Sequence, residues 1–305
     1  MRILIAGATG VIGRPLVAAL IAHGHAVTGL ARSAESAAVL SGLGAETVVA
    51  DVLDREATTT AAVEAQPDIV IDQLTALPRD YRPESLRAAI AATGVVRTVG
   101  GENLYTAAVA AGARRYLAQS GCSFYRPGQG LASETELWAE HGPPVVADNV
   151  GSLLAVERRV LGEDRPLSGV ALRYGFFYGP NTWFHRDGDV GDQVRAGQYP
   201  VLGSGAGVWS FVHIDDAVAA TVAAVESDVS GAFNICDGTP TPLREWLPAF
   251  ARCLGAPQPP HVPVEADTDP NGRFYAELLR GADNALASKA LDFAPRSLTW
   301  LEGSA

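Results

Sequence analysis

Lysine is all but missing from this chain: among 305 residues there is one, Lys289, near the C-terminus. Chemistry that needs a lysine ammonium in the middle of the sequence has none to use. Cysteine is scarce as well. Three residues, an odd number without regular spacing, offer neither a disulfide framework nor a zinc pattern, and no metal site is expected. Positive charge is in deficit, with 23 Lys and Arg against 34 Asp and Glu, a net charge of −11. So acidic a surface repels nucleic acid and anionic membrane, and neither is expected as a partner. No apolar run approaches the ~18 residues of a membrane span. The first apolar run is too short for a signal peptide and has no basic leader, so a cytoplasmic location is the expectation.

What remains describes a folded α/β protein. Hydrophobic residues make up 48% and charged residues 19%, the balance of a soluble globular chain rather than a disordered one. Its length suits one large domain, or one with a small lobe. Strands are expected at residues 2–6, 26–30, 46–50, 68–74, 115–119 and 169–172. Helices are expected at 15–23, 34–43, 55–65, 102–111 and 149–161. This alternation predicts βαβ units, right-handed crossovers and a doubly wound parallel sheet. Stretches 126–144, 179–207 and 255–270 are rich in Pro and Gly and read as surface loops. Loops at the carboxyl edge of such a sheet border its ligand.

The first strand runs into Gly7-Ala8-Thr9-Gly10-Val11-Ile12-Gly13 and then a helix. Gly7 turns the chain off the strand, Gly10 lets the backbone approach phosphates, and Gly13 lets the helix pack on the sheet. The helix N-terminus then favours an anion. This context predicts a dinucleotide cradle of Gly7, Thr9, Gly10, Val11, Ile12 and Gly13. The second strand ends Leu30-Ala31-Arg32-Ser33, with an arginine where an NAD site offers a carboxylate. Arg32 suits a charge-assisted fork to a 2′-phosphate and Ser33 a further hydrogen bond, so NADP is expected, with NAD the alternative. Asp51 fits either the adenine contact or the cap of the following turn. Val52, Leu74 and Thr75 complete the expected cofactor contacts.

Three later segments follow in order: Leu172-Arg173-Tyr174-Gly175-Phe176-Phe177-Tyr178-Gly179-Pro180, Phe211-Val212-His213-Ile214-Asp215-Asp216, and Gly231-Ala232-Phe233-Asn234-Ile235. Together with the glycine turn they resemble the extended short-chain dehydrogenase/reductases, the NAD-dependent epimerase/dehydratase family, over nearly the whole length. The resemblance implies a Rossmann domain from 1–180 and 206–236 and a small substrate lobe from 181–205 and 237–305. Asp215 or Asp216 is expected to cap the helix that follows. In the family, the helices expected at 102–111 and 149–161 form a dimer seam, so a homodimer or a monomer is expected.

The same resemblance implies a catalytic set that this chain lacks. In the family a tyrosine exchanges a proton with the substrate oxygen. A lysine four residues later lowers its pKa and binds the nicotinamide ribose, and a Ser or Thr holds the substrate oxygen. A phenol of pKa about 10 is a poor base without such a cation. Here Asn149-Val150-Gly151-Ser152-Leu153-Leu154-Ala155-Val156-Glu157 aligns with the family segment, and Ser152 and Glu157 match it. Asn149 stands at the tyrosine position, Leu153 at the lysine position and Gly121 at the hydroxyl position. From Arg126 to Arg173 there is no tyrosine and no lysine, so the relay is absent rather than displaced. Asn149 can donate a hydrogen bond to an oxyanion but cannot give up a proton.

The catalytic candidates are therefore Ser123, Tyr125, Asn149 and Tyr174. Tyr125 and Tyr174 suit packing equally well. Asp148 reads as a helix N-cap or an acid–base group. Cys122, Trp183, His185 and Trp209 are expected to line the substrate pocket. The expected function is an NAD(P)-dependent oxidoreductase acting on a small-molecule carbonyl or alcohol with a non-standard proton relay. The alternatives are a redox-neutral isomerase, cyclase or dehydratase, and a non-catalytic NADP-binding protein.

Overall fold

The computed structural model describes residues 1–265 and 268–301. Residues 266–267 and 302–305, which the expected 237–305 lobe includes, lie outside the described residues. Apolar runs with turn-forming ends make β1 (Arg2–Ala6), β2 (Ala26–Ala31), β3 (Glu46–Val49), β4 (Ile69–Asp72), β5 (Arg115–Gly121) and β6 (Ser168–Tyr174). Shorter strands follow: β7 (Phe176–Tyr178), β8 (Val201–Leu202), β9 (Val208–Trp209) and β10 (Phe211–His213), then β11 (Gly231–Ile235). The main sheet has seven parallel strands in the order β11-β6-β5-β4-β1-β2-β3. The chain winds outward from β1 to β3, then returns to place β4 on β1's other side. In doubly wound sheets ligands bind at that reversal, which here lies beyond the carboxyl ends of β1 and β4. The register Ala6↔Asp72 sets Gly7 beside Gln73 there.

Helices cover both faces: α1 (Gly13–Ala22), α2 (Ala34–Gly42), α3 (Arg55–Ala65), α4 (Pro83–Val95), α5 (Gly101–Ala110), α6 (Pro144–Leu161), α7 (Asp189–Arg195), α8 (Ile214–Glu226) and α9 (Leu243–Cys253). Strand alternation sorts the core. Ile69 and Ile71 of β4 pack with Leu16 and Leu20 of α1 and Ala217 of α8. Val70 packs on the other face with Ala61 of α3, Leu104 of α5 and Val156 of α6. A separate aromatic core joins Trp209, Phe211, Trp246, Phe250 and Trp300 to Val146, Val150 and Leu153 of α6. Among the described residues no helix is long and apolar enough to cross a membrane.

Three local expectations are corrected. Helix α6 starts at Pro144, not at 149, because a proline at the first helical position costs no hydrogen bond. Asp148 therefore sits inside the helix, exposed, and caps nothing. The N-cap of α8 is His213, whose Nδ1 accepts the Asp215 amide at 3.2 Å, while Asp216 pairs with Arg296 at 2.9 Å. Helix α4, which has little amphipathic signal, runs through a single π-helical turn, Val96–Gly100, into α5.

Candidate active site

The cradle is built from backbone that excludes side chains. Gly7 has φ +76°, and a Cβ there would stand 2.3 Å from the Gln73 carbonyl oxygen. A Cβ on Gly13 would stand 2.2 Å from the Gly7 carbonyl oxygen. Only glycine fits either place. The amides of Thr9, Val11 and Ile12 have no partner among the described residues, and the first turn of α1 carries no acidic side chain. Open amides at a helix N-terminus with no competing carboxylate fit a phosphate group.

Around the cradle the expected contacts are spread along one sheet edge. Arg32 is exposed at the end of β2, and among the described residues no carboxylate pairs with it. Ser33 caps α2, accepting the Ser36 amide at 3.2 Å. Asp51 Oδ1 accepts the Leu53 amide at 3.0 Å, the turn-capping geometry. Val52 is buried, and its carbonyl accepts from Asn103 at 2.9 Å. Leu74 is buried after β4, its amide donating to Asp72 Oδ1 at 3.1 Å, and Thr75 beside it is half-buried.

The three positions that the resemblance assigns to the family's relay are Gly121, Leu153 and Asn149. A Cβ on Gly121 would lie 3.8 Å from Leu153 Cδ1 and 3.7 Å from Phe124 Cε2, so glycine and leucine face each other across an apolar contact. Leu153 is fully buried. Asn149 Nδ2 is turned back on its own helix, donating to the Val145 carbonyl at 2.9 Å.

The other catalytic candidates have spent their polar groups. Tyr125 is fully buried; its hydroxyl donates to Asn234 Oδ1 at 2.6 Å and accepts from Arg173 Nη1 at 2.8 Å. Burial raises its pKa, with Arg173 opposing. Tyr174 shares a 2.6 Å hydrogen bond with Thr221 and accepts from Gln73 Nε2 at 3.2 Å. Burial pushes its phenol up to about 12. Neither hydroxyl is free to meet a substrate. Ser123 is buried. Cys122 lies enclosed with Cys236, Tyr125, Ala132 and Ala282 rather than in a pocket wall.

Of the expected pocket residues, Trp183 is half-buried against Tyr81, ring centroids 5.0 Å apart, and its Nε1 donates to the Pro78 carbonyl. His185 Nδ1 accepts the Asp187 amide at 3.2 Å, a turn contact. Trp209 is core: it lies in β9, 2% exposed, with Nε1 donating to the Tyr275 carbonyl. What the sequence reading did not single out is the half-buried tyrosines Tyr81, Tyr199 and Tyr275, of which Tyr81 meets Trp183. Tyr81 and Tyr199 stand with ring centroids 6.3 Å apart, and Tyr275 packs nearby on Phe176 and Trp209. Burial raises all three phenols, so they stay neutral donors and acceptors.

Two buried polar groups also went unread. Glu157 Oε1 accepts from Ser120 Oγ at 2.7 Å and from Arg173 Nε at 2.8 Å, and its Oε2 accepts from Arg173 Nη2 at 2.6 Å. The Arg173 guanidinium also lies over Trp138, 4.6 Å from the ring centre. On the opposite side of α6, Asp72 accepts from Tyr116 at 2.9 Å and lies 3.9 Å from Arg159 Nη1, with Arg97 close by. An arginine inside the apolar run 88–96 and its continuation was the available signal for Arg97. Among the described residues no group of three or more His, Cys, Asp or Glu is placed to hold a metal ion.

Comparison with known proteins agrees with this architecture. The model of the NAD dependent epimerase/dehydratase family matches residues 3–236. A 3-diazoavenalumate denitrifying reductase of a Streptomyces species is 45% identical over 99% of both chains. The UDP-glucose 4-epimerase of Thermus thermophilus, solved in complex with NAD, superposes with a TM-score of 0.73 at 25% identity, over 98% of this chain and 96% of that one. The UDP-glucose 4-epimerase of Thermotoga maritima shares the fold, with a TM-score of 0.75 at 20% identity over 99% of this chain and 96% of that one. The chain belongs to the NAD-dependent epimerase/dehydratase family.

Proposed function

We propose that this member of the epimerase/dehydratase family is an NADP-dependent reductase that replaces the diazo group of an aromatic compound with hydrogen. The observation that carries the reading is the apolar contact between Gly121 and Leu153, with Asn149 folded onto its own helix, where a proton relay would stand. Carbonyl reduction consumes a hydride and a proton, and this centre has no group to deliver the proton. An aryl diazonium needs none. When bound, a reduced nicotinamide supplies hydride. The new C–H bond forms with the hydride pair, and the C–N bond breaks with its electrons leaving on dinitrogen. With the hydride that the bound cofactor would supply, the diazonium is reduced by two electrons to arene and dinitrogen, and charge balances without a proton. The name of the 45% identical relative, a denitrifying reductase of a diazo compound, supports the same chemistry.

The chain's own residues then bind and orient. Gly7, Thr9, Gly10, Val11, Ile12 and Gly13 hold the diphosphate. Arg32 meets the 2′-phosphate, with Ser33 beside it, and Asp51, Val52, Leu74 and Thr75 flank the rest of the cofactor. Residues 181–205 and 237–305 serve as the substrate lobe, whose Trp183, Tyr199 and Tyr275, together with Tyr81 from the segment before α4, offer neutral aromatic walls and hydroxyls to a flat cationic ring. The test uses NADPH deuterated at the transferred C4 position, a phenolic aryl diazonium and an enzyme-free blank. The expected result is one dinitrogen released per NADPH oxidised, with deuterium on the ring carbon in ordinary water. Deuterium incorporated from D₂O instead, or no acceleration over the blank, overturns the reading.

A further inference from the structure

Arg97 is a buried cation that nothing in the fold fully accounts for. It sits in the π-helical turn between α4 and α5 and is 8% exposed. Its Nη1 donates to Ser152 Oγ at 3.3 Å, one residue before Leu153 in α6. Its Nε is buried without a partner among the described residues. The charged group that favours it is Asp72, and Asp72 is shared with Arg159. Arg159 reaches a second carboxylate, Glu102, but that group is 65% exposed. Two buried guanidiniums thus stand around one buried carboxylate. Burial lowers the Arg97 pKa to about 10, the mark of a cation short of negative charge. Buried charges without partners are costly, so an excess of this kind is retained where an outside group completes it.

Position gives the excess its meaning. Asp72 ends β4, the strand beside the Gly7 turn. One turn before Arg97, Thr93 Oγ1 accepts the Ala76 amide at 3.1 Å, which fastens α4 to the segment after β4. Arg97 therefore stands between the cofactor edge of the sheet and the α6 position where the family's lysine is missing. Single π turns recur at functional sites because the extra residue redirects one side chain.

We propose that Arg97 is the positioning cation for the nicotinamide-ribose half of the dinucleotide, taking over the cofactor-holding task of the absent lysine while no residue takes over its proton task. This rests on the dinucleotide reading above. A guanidinium carries five N–H donors that suit ribose hydroxyls or the adjoining phosphate, and it does not deprotonate at working pH. The test compares binding of NADPH with that of adenosine 2′,5′-bisphosphate, which ends before the nicotinamide ribose, by titration calorimetry.

Arg97→Met is expected to weaken NADPH by about 10- to 100-fold and to leave the bisphosphate within about twofold. Arg97→Lys should recover part of the loss. Ser152→Ala, which removes the one hydrogen bond the side chain makes, should leave NADPH binding unchanged. Equal weakening of both ligands, no weakening, or a Ser152→Ala loss as large as that of Arg97→Met overturns the proposal. If Arg97→Met fails to fold, Arg97→Lys decides through the same ratio of the two ligands. A wild-type chain that binds neither ligand sinks the dinucleotide reading instead.

Discussion

Leu153→Lys would restore, on paper, half of the family's catalytic pair, and its cost follows from the structure. Leu153 is 0% exposed, inside an apolar cluster with Val150, Phe211 and Trp246. The carboxylate one turn on, Glu157, is already held by Arg173 and Ser120. A lysine there has no partner and no water. A buried amine falls about 3–5 units below its usual value near 10.4, so at neutral pH it sheds its proton on folding. The penalty is then set by deprotonating the unfolded lysine. That is about 1.36 kcal/mol for each of the roughly 3.4 units between pH 7 and 10.4, or about 5 kcal/mol.

The sign follows from the depressed pKa. The unfolded chain binds the extra proton, so stability rises with pH, and at pH 9 the penalty shrinks to about 2 kcal/mol. Urea unfolding followed by tryptophan fluorescence measures both values, with Leu153→Met, expected to lose under about 1.5 kcal/mol, as the volume-conserving control. A loss below about 1 kcal/mol at pH 7, or one that does not depend on pH, would mean the side chain reaches solvent. So would ketone reduction by Asn149→Tyr/Leu153→Lys. Either result would refute the claim that this centre is packed shut.

Other perturbations test other parts of the account. Arg32→Ala should weaken NADPH binding much more than NADH binding; equal loss in fluorescence titrations would remove the 2′-phosphate contact. Glu157→Gln leaves Arg173 buried beside a neutral amide and should destabilise by about 3–5 kcal/mol in urea melts, whereas Glu157→Leu/Arg173→Met should lose less than the single change; the reverse order would mean the pair is not the tie between α6 and β6. Asp237 is 1% exposed, and burial raises its pKa to about 6 even though it accepts the Phe211 and Thr239 amides. The folded state therefore holds this proton more tightly than the unfolded one. Its contribution to stability should fall by up to about 3 kcal/mol from pH 4 to pH 6 and level off above, and Asp237→Asn should abolish that slope. A wild-type slope unchanged in the variant would show that another group titrates.

How much of this could be read from the chain depends on how local each cause is. The β1–α1 turn was legible because its requirement is local: Gly7 and Gly13 are glycine for want of a few ångströms, and the flanking strand and helix are contiguous. The same holds for Leu153 and Asn149, which are read off by setting one contiguous segment beside the family's. The start of α6 was not legible, since Pro143-Pro144 punctuates the chain like a loop although Pro144 opens the helix and Val146 already packs into the core. Trp209 and Tyr125 look like site residues in sequence because they are large, polar-tipped and close to family motifs. Their burial depends on partners far along the chain, Tyr275 and Asn234. Arg97 and the Tyr81–Tyr199 pair are functional candidates only by convergence, and no spacing rule brings residues 97 and 152, or 81 and 199, together.

The missing relay also discriminates among the alternatives to reduction. A redox-neutral epimerase or dehydratase working by transient oxidation must first take a proton from an alcohol as hydride leaves its carbon. That demand falls on the same tyrosine, lysine and hydroxyl positions that carbonyl reduction uses in the opposite direction. Leu153, Gly121 and Asn149 therefore disfavour both directions of alcohol–ketone chemistry at once. A pure binding protein would be under no such demand, but it would also have no use for half-buried, neutral phenols such as Tyr81, Tyr199 and Tyr275. The proposed reaction has its electron sink wholly within the substrate. A leaving dinitrogen meets that condition, because the bond pair it carries off stands in for the proton the site cannot supply.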